Sequence, residues 1–189
     1  TGARPDVTLE KAFRVFGELL FAALAGGQPK ESLDAFAADD TETPLGWIKR
    51  STAARHRAWL ANNERRLQIR QRFAEFFEHH DALLLPVHPR PAIPHDQSFP
   101  QFARTVEIDG IERSYLDLWP WIAPAGLAYL PATVVPVGLS ADGLPIGVQI
   151  VGPFLHDRTV LQLARHVSRL TADRHRWPSP CPPPPPPFA

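Results

Sequence analysis

Two apolar, β-branched runs near the C-terminal end of the chain give its clearest pattern. They occupy residues 133–139 and 146–151 and flank the turn sequence of residues 140–143. Gly143 can adopt the positive φ that closes a four-residue turn, so the pattern predicts a β-hairpin. Because both runs are apolar on both faces, we expect them to be central strands, covered by helices on either side.

Three longer segments show helical periodicity. Apolar residues recur every three to four positions in residues 8–25, 51–80 and 157–171, so each segment is predicted to form a helix. In the longest of them we expect a buried stripe centred on one line of residues and flanked by four others, namely Leu60, Leu67, Ala74 and Phe77, flanked by Trp59, Ile69, Phe73 and Phe76.

Shorter patterns complete the predicted elements. A short helix is expected around residues 32–38, and a buried strand over residues 82–87. The prolines of residues 88–101 indicate a loop. Asp109-Gly110 predicts the turn of a small hairpin over residues 105–114, and a helical stretch interrupted by Pro120 is expected after it.

The fold class and the domain organisation follow from these elements. We predict an α/β chain in which a mixed β-sheet is flanked by helices, with residues 1–177 as one domain. Residues 178–189 contain eight prolines, which fix φ and lack N–H donors. This tail is expected to be extended or disordered.

Composition narrows the classes of function. Lys and Arg number 20 and Asp and Glu number 20, so no net field attracts nucleic acid or an anionic membrane. No apolar run approaches the roughly 18 residues of a membrane span, and no secretory signal is visible. The single cysteine, Cys181, leaves no disulfide framework. We therefore expect a cytoplasmic protein without nucleic-acid or membrane partners.

A spaced set of glycines and prolines around the predicted hairpin carries a family resemblance. Its motifs are Leu130-Pro131-Ala132, Pro136-Val137-Gly138 and the Gly-Leu-Pro-Ile-Gly-Val-Gln-Ile-Val-Gly sequence of residues 143–152. This pattern resembles the C-terminal part of the amidase signature family, and the resemblance covers residues 5–177. It implies an amidase-like fold and a hydrolase that cleaves amide C–N bonds.

The resemblance also implies which catalytic groups to look for. Family members use a nucleophilic Ser, a second Ser and a Lys, with backbone N–H groups of a Gly-rich loop around the oxyanion. Lys occurs only at positions 11, 30 and 49, and no Ser lies in a Gly/Ser-rich motif. We therefore expect no catalytic residue here. The chain would be a C-terminal portion, inactive without an N-terminal catalytic part; the missing initiator Met agrees with this expectation. Such a portion is also expected to expose an apolar flank of its sheet.

By resemblance, residues before the Leu-Pro-Ala motif and a few places after Gln149 are expected to line a substrate pocket. These residues are Trp121, Ile122, Tyr129 and Phe154, with Trp119 close by. Aromatic and aliphatic walls suit an apolar acyl or aryl group. Large aromatic residues are also common in cores, and the sequence leaves this alternative open.

Two further residues are expected to support the site. Pro131 belongs to the Leu-Pro-Ala motif, and Gln149 is a polar residue within an apolar strand. A buried carboxamide without partners would cost a few kcal/mol, so Gln149 is expected to be hydrogen-bonded to a neighbouring loop. The chain departs from the family pattern at Gly126 and Tyr129, where the family often has Asn and Gly.

No cofactor or metal is predicted. His79 and His80 point roughly 100° apart on a helix, and His88 and His95 lie in a Pro-rich loop without a third ligand at zinc-like spacing. The expected partner is a small-molecule amide, with a homo-oligomer left open. Two alternatives stand beside this interpretation: a non-catalytic interaction module with a polyproline tail, and a self-sufficient hydrolase that uses a histidine.

Overall fold

The computed structural model describes residues 2–172, in which helices surround two small sheets. The α-helices are α1 (Leu9–Ala23), α2 (Lys30–Ala37), α3 (Pro44–Thr52), α4 (His56–Phe77), α5 (Ala123–Ala128) and α6 (Asp157–Thr171). The strands are β1 (Leu83–Pro86), β2 (Thr105–Ile108), β3 (Ile111–Ser114), β4 (Ala132–Leu139) and β5 (Pro145–Val151). The predicted Pro-rich tail lies outside the described residues.

The main sheet has three strands in the order β1-β5-β4, so β5 is central. Leu85 of β1 and Val134 of β4 both lie opposite Gln149 of β5. The predicted α/β class is confirmed, but the expected mixed sheet is antiparallel in all described strands. The reason is that a tight turn joins β4 to β5, and β1 also runs opposite to β5.

The turn between β4 and β5 forms as predicted. Gly143 has a φ of 77°, and its N–H donates to the Ser140 carbonyl oxygen over 3.0 Å. The Leu144 N–H donates to the Ser140 hydroxyl oxygen over 3.1 Å. Asp109 and Gly110 both have positive φ in the smaller β2-β3 hairpin, which is also confirmed.

Helices cover both faces of the β4-β5 hairpin only in the half that lies far from its turn. Ile150 and Val151 are fully buried, and on one face Val160 and Ala164 of α6 pack against the sheet. Toward the turn, Val134 is 53% exposed and Ile146 is 38% exposed. The expectation of a fully covered hairpin is therefore wrong for this half, whereas the expected exposed apolar flank is present.

Two helices occupy the range 51–80, where a single long helix is predicted. Helix α3 ends at Thr52, and the extended backbone of Arg55 precedes α4. No helix is predicted over residues 44–50, although Pro44 fits the first turn of a helix. Thr43 caps α3, since its hydroxyl oxygen accepts the Gly46 N–H over 3.1 Å.

The centre of the buried face of α4 differs from the expected one, because two residues expected to flank the stripe are the most buried. Ile69 and Phe73 are 1% and 2% exposed, whereas Leu60 and Leu67 are 49% and 43% exposed. The sequence offers two overlapping apolar stripes, and packing against α1, α5 and the sheet selects the one that contains Ile69 and Phe73.

The segment that follows β3 is less regular than expected. It contains short 3₁₀ turns, Tyr115–Leu118 and Pro120–Ile122, separated near Pro120 as the proline predicts. Helix α5 follows and ends at Tyr129, whose φ of 57° lies in the left-handed region. Within residues 2–172, no helix has the length and apolarity that crossing a membrane requires.

Candidate functional site

A cleft lies between the N-terminal segment, α4 and β1. Its volume is ≈ 800 Å³, and Trp121 forms part of its wall. Its apolar lining includes residues of α4 and β1, namely Ile69, Phe73, Leu83 and Leu85. Charged side chains also line it, namely Arg4, Asp6, Lys11 and Arg72. A concavity that combines apolar walls with polar groups is typical of small-molecule sites.

Gln149 fixes the segment that carries Trp121. Its side chain is 6% exposed, and its Nε2 donates to the Trp121 carbonyl oxygen over 3.1 Å. Leu85, which lines the cleft, is the cross-strand neighbour of Gln149. The predicted hydrogen bond from Gln149 to a neighbouring loop is thus confirmed, and it ties the central strand to the cleft wall.

Replacing Gln149 with methionine is expected to destabilise the fold by about 1–3 kcal/mol, because the Trp121 carbonyl loses its donor in a buried position. Urea denaturation monitored by circular dichroism would measure this difference. Gln162→Met on the exposed side of α6 is the matched control, with an expected change within about 0.5 kcal/mol. Equal effects of the two substitutions would contradict the proposed role of this hydrogen bond.

Tyr129 and Phe154 meet on the side chains of two arginines from α4. The Arg66 guanidinium carbon lies 4.4 Å from the centre of the Tyr129 ring. The Arg70 guanidinium carbon lies 5.7 Å from the same ring and 4.2 Å from the centre of the Phe154 ring. We call Arg66, Arg70, Tyr129 and Phe154 the arginine–aromatic cluster. Its two rings are about half exposed, so they remain accessible to a ligand.

The other predicted pocket residues occupy different places. Trp119 is partly buried and packs against an apolar cluster, with its ring centre 5.6 Å from that of Phe102. Ile122 is partly exposed after the second 3₁₀ turn. The Pro131 carbonyl accepts the Gly152 N–H over 3.0 Å, which joins the two family motifs. The structure therefore brings Tyr129 and Phe154 together and separates Trp119, and the pocket assignment as a whole stays a prediction.

The lysines of the described chain include two with carboxylate partners. Lys30 Nζ lies 2.7 Å from Asp34 Oδ2, and Lys49 Nζ lies 2.7 Å from Asp39 Oδ2. The hydrogen bond from Lys49 holds the pKa of Asp39 well below its ordinary value. Both ammonium groups thus bind carboxylates rather than serine hydroxyls.

Of the histidines considered as metal ligands, His80 has ordinary contacts. The His80 ring stacks on Phe76 with 4.2 Å between ring centres, and its Nδ1 lies 3.0 Å from the Phe76 carbonyl oxygen. Across residues 2–172, no group of three or more His, Cys, Asp or Glu side chains is arranged to hold a metal ion.

Sequence reasoning assigned Arg66 and Arg70 no role in the site. Their spacing of four residues places them on one face of α4, but the same pattern is typical of a solvated helix face. Only the tertiary structure shows that Tyr129 and Phe154, from distant parts of the chain, cover them.

The chain belongs to the amidase signature family. A family model described as Amidase matches residues 33–161. The chain is 28% identical over 163 residues to a glutamyl-tRNA(Gln) amidotransferase subunit of Gluconobacter oxydans, covering 85% of this chain and 31% of that protein. It is 33% identical over 141 residues to a fatty acid amide hydrolase of Medicago truncatula, covering 74% of this chain and 22% of that protein.

Solved structures show the same relationship at the level of the fold. A crystal structure of an amidase matches with a TM-score of 0.67 at 21% identity, covering 88% of this chain and 37% of that one. A bacterial aryl acylamidase matches with a TM-score of 0.64 at 19% identity, covering 87% of this chain and 34% of that one. The chain thus spans less than a third of these curated relatives and little more than a third of these structures.

Proposed function

We propose that this chain is the pocket-forming portion of a serine hydrolase of the amidase signature family, which cleaves an amide C–N bond. The nucleophilic Ser, the bridging Ser and the Lys would come from another polypeptide segment. The observation that carries this proposal is the hydrogen bond from Gln149 to the Trp121 carbonyl, which fixes a cleft wall against the central strand.

The chemistry of amide hydrolysis indicates which groups this chain would supply and which would come from another segment. A hydroxyl nucleophile needs a base within hydrogen-bond reach and preorganised donors for the developing oxyanion. Lys30 and Lys49 bind carboxylates, and Lys11, which lines the cleft, forms no hydrogen bond to a serine within residues 2–172. These contacts support a source of the base outside this chain. The contribution of this chain is to hold the acyl or aryl group in a productive orientation.

The predicted pocket residues would act in different ways. Trp121 forms part of the wall of the apolar cleft, and Ile122, Tyr129 and Phe154 present partly exposed side chains. Trp119 would support this wall from the interior. The exposed apolar flank at Val134 and Ile146 would face the segment that carries the catalytic groups.

The proposed partners are a small-molecule amide and a second polypeptide segment. One relative is named as one of the subunits of an amidotransferase, which supports action within a larger assembly. The cytoplasmic location and a homo-oligomer stay predictions from the sequence.

A chimera tests the proposal. In it, this chain replaces the matching portion of the Gluconobacter amidotransferase relative, and hydrolysis of a neutral aryl amide is followed. We expect the chimera to be active and Trp121→Ala in it to lower kcat/KM by roughly tenfold or more, through the loss of a cleft wall. Trp59→Ala, on the outer side of α4, is the control and should leave kcat/KM unchanged.

The proposal would be contradicted by a chimera that is folded, as circular dichroism shows, but inert. It would equally be contradicted if Trp59→Ala and Trp121→Ala had the same effect on kcat/KM, since the cleft would then have no special role.

A further inference from the structure

The arginine–aromatic cluster contains two positive charges that have no carboxylate partner in the described chain. None of the ion pairs formed within residues 2–172 involves Arg66 or Arg70. By contrast, Arg72 on the same helix lies 3.0 Å from Glu75. An arginine that is held in place without a carboxylate keeps N–H groups that can bind an anion in a planar, two-point geometry.

The guanidinium of Arg66 is positioned but incompletely hydrogen-bonded. Its Nε donates to Asn63 Oδ1 over 3.0 Å, which fixes the orientation of the group. Its Nη1 is buried and has no hydrogen-bond acceptor within the described chain. A buried donor without an acceptor is costly, so the cluster is incompletely satisfied within the described residues. Because Nη1 is shielded from solvent, a ligand would contact the remaining N–H groups of the cluster.

Tyr129 reaches the cluster through an unusual backbone conformation. Its φ of 57° lies in the left-handed region, which bulky side chains rarely adopt. Tyr129 is the C-cap of α5, a position at which the left-handed conformation commonly ends a helix and at which Gly is the usual residue. Here the strained residue carries the ring that packs over Arg66 and Arg70.

We propose that the arginine–aromatic cluster binds a carboxylate that is attached to an aromatic or apolar group of the substrate. The guanidinium groups would bind the carboxylate, and the exposed faces of Tyr129 and Phe154 would contact the attached group. This inference rests on the proposed function, in which these two rings face the substrate. It predicts a preference for amides that also carry a carboxylate over neutral amides.

The positive charge of the cluster decides between ligand classes. Two guanidinium groups about one helical turn apart repel a cation and favour an anion. The half-exposed rings favour an anion with a flat apolar body over a fully hydrated inorganic ion. An aryl carboxylate satisfies both conditions.

Titration of the 189-residue chain with benzoate tests the inference. Nitrogen-15 NMR would follow the Arg66 and Arg70 Nε–H signals and the backbone amides of Tyr129 and Phe154. We expect benzoate to shift these signals, and the neutral analogue benzamide to bind at least about tenfold more weakly. The affinity for benzoate should fall as NaCl is added.

Substitutions on α4 distinguish specific recognition of benzoate by the cluster from nonspecific attraction of benzoate to positive charge. Arg70→Gln should weaken benzoate binding about tenfold or more. Arg70→Lys should have a smaller effect, because it keeps the positive charge and loses only the planar, two-point hydrogen-bonding geometry of the guanidinium group. Arg57→Gln, at the exposed start of α4, is the matched control and should leave binding unchanged. The melting temperature of each variant would establish that it is folded.

Equal affinities for benzoate and benzamide would overturn the inference, as would equal effects of Arg57→Gln and Arg70→Gln. Binding of a glutamate-rich peptide without binding of benzoate would also overturn it, in favour of a protein-docking surface. None of these results bears on the hydrolase proposal, which the chimera tests with a neutral amide.

Discussion

Replacing Phe73 with alanine is expected to lower the free energy of unfolding by about 3–5 kcal/mol. Phe73 is 2% exposed and packs in the cluster where α1, α4, α5 and the main sheet meet. Truncation removes the apolar area that the ring buries and leaves a cavity that the surrounding helices only partly fill. Urea denaturation followed by circular dichroism would measure the change.

The matched control for Phe73→Ala is Leu67→Ala on the same helix. Leu67 is about half exposed, so its truncation is expected to change the free energy of unfolding by about 1 kcal/mol or less. A loss at Leu67 equal to the loss at Phe73 would mean that the stripe expected from sequence, rather than the observed one, faces the core.

Replacing Gly152 with alanine is expected to lower the free energy of unfolding by about 1–3 kcal/mol or more. Gly152 follows β5, where α6 packs so closely that an added Cβ would overlap Val160 Cγ2. Val160 is itself 2% exposed, so its side chain has little space to move. Thermal unfolding would report the change as a lower melting temperature.

Two further variants identify the cause of this effect. In the Val160→Ala background, Gly152→Ala should cost less than it does alone, because the overlapping methyl group is absent. Gly138→Ala in β4 should be nearly neutral with respect to steric overlap, since nothing lies within 4 Å of its added Cβ. An unchanged cost of Gly152→Ala in the Val160→Ala background would contradict the steric explanation.

The parts of the fold that the sequence predicts are those with local chemical signals. The β4-β5 turn follows from Gly143, and the smaller hairpin follows from Asp109-Gly110, because few residues tolerate positive φ. Helix α3 was missed because Pro44 suits a loop as well as a helix start. The buried face of α4 was misassigned because its two apolar stripes differ only in what packs against them.

In the candidate site too, local motifs could be predicted from the sequence, whereas contacts between distant segments could not. Motif spacing around Gln149 identified the family and predicted a hydrogen bond, and both are confirmed. The sequence could not place Tyr129 and Phe154 on the arginines of α4, because that contact joins three separate segments. Nor could it show that Trp119 packs against a different apolar cluster, because this residue lies only two positions before Trp121.

The central claim is that this chain shapes the pocket while the reactive serine lies on another segment. The most direct test is to label the chimera and the isolated chain with a fluorophosphonate and to locate the adduct by mass spectrometry. We predict a labelled serine in the supplied catalytic portion of the chimera, and no labelled serine in the isolated chain. A labelled serine within the 189 residues, together with hydrolysis of an aryl amide by the isolated chain, would contradict the claim.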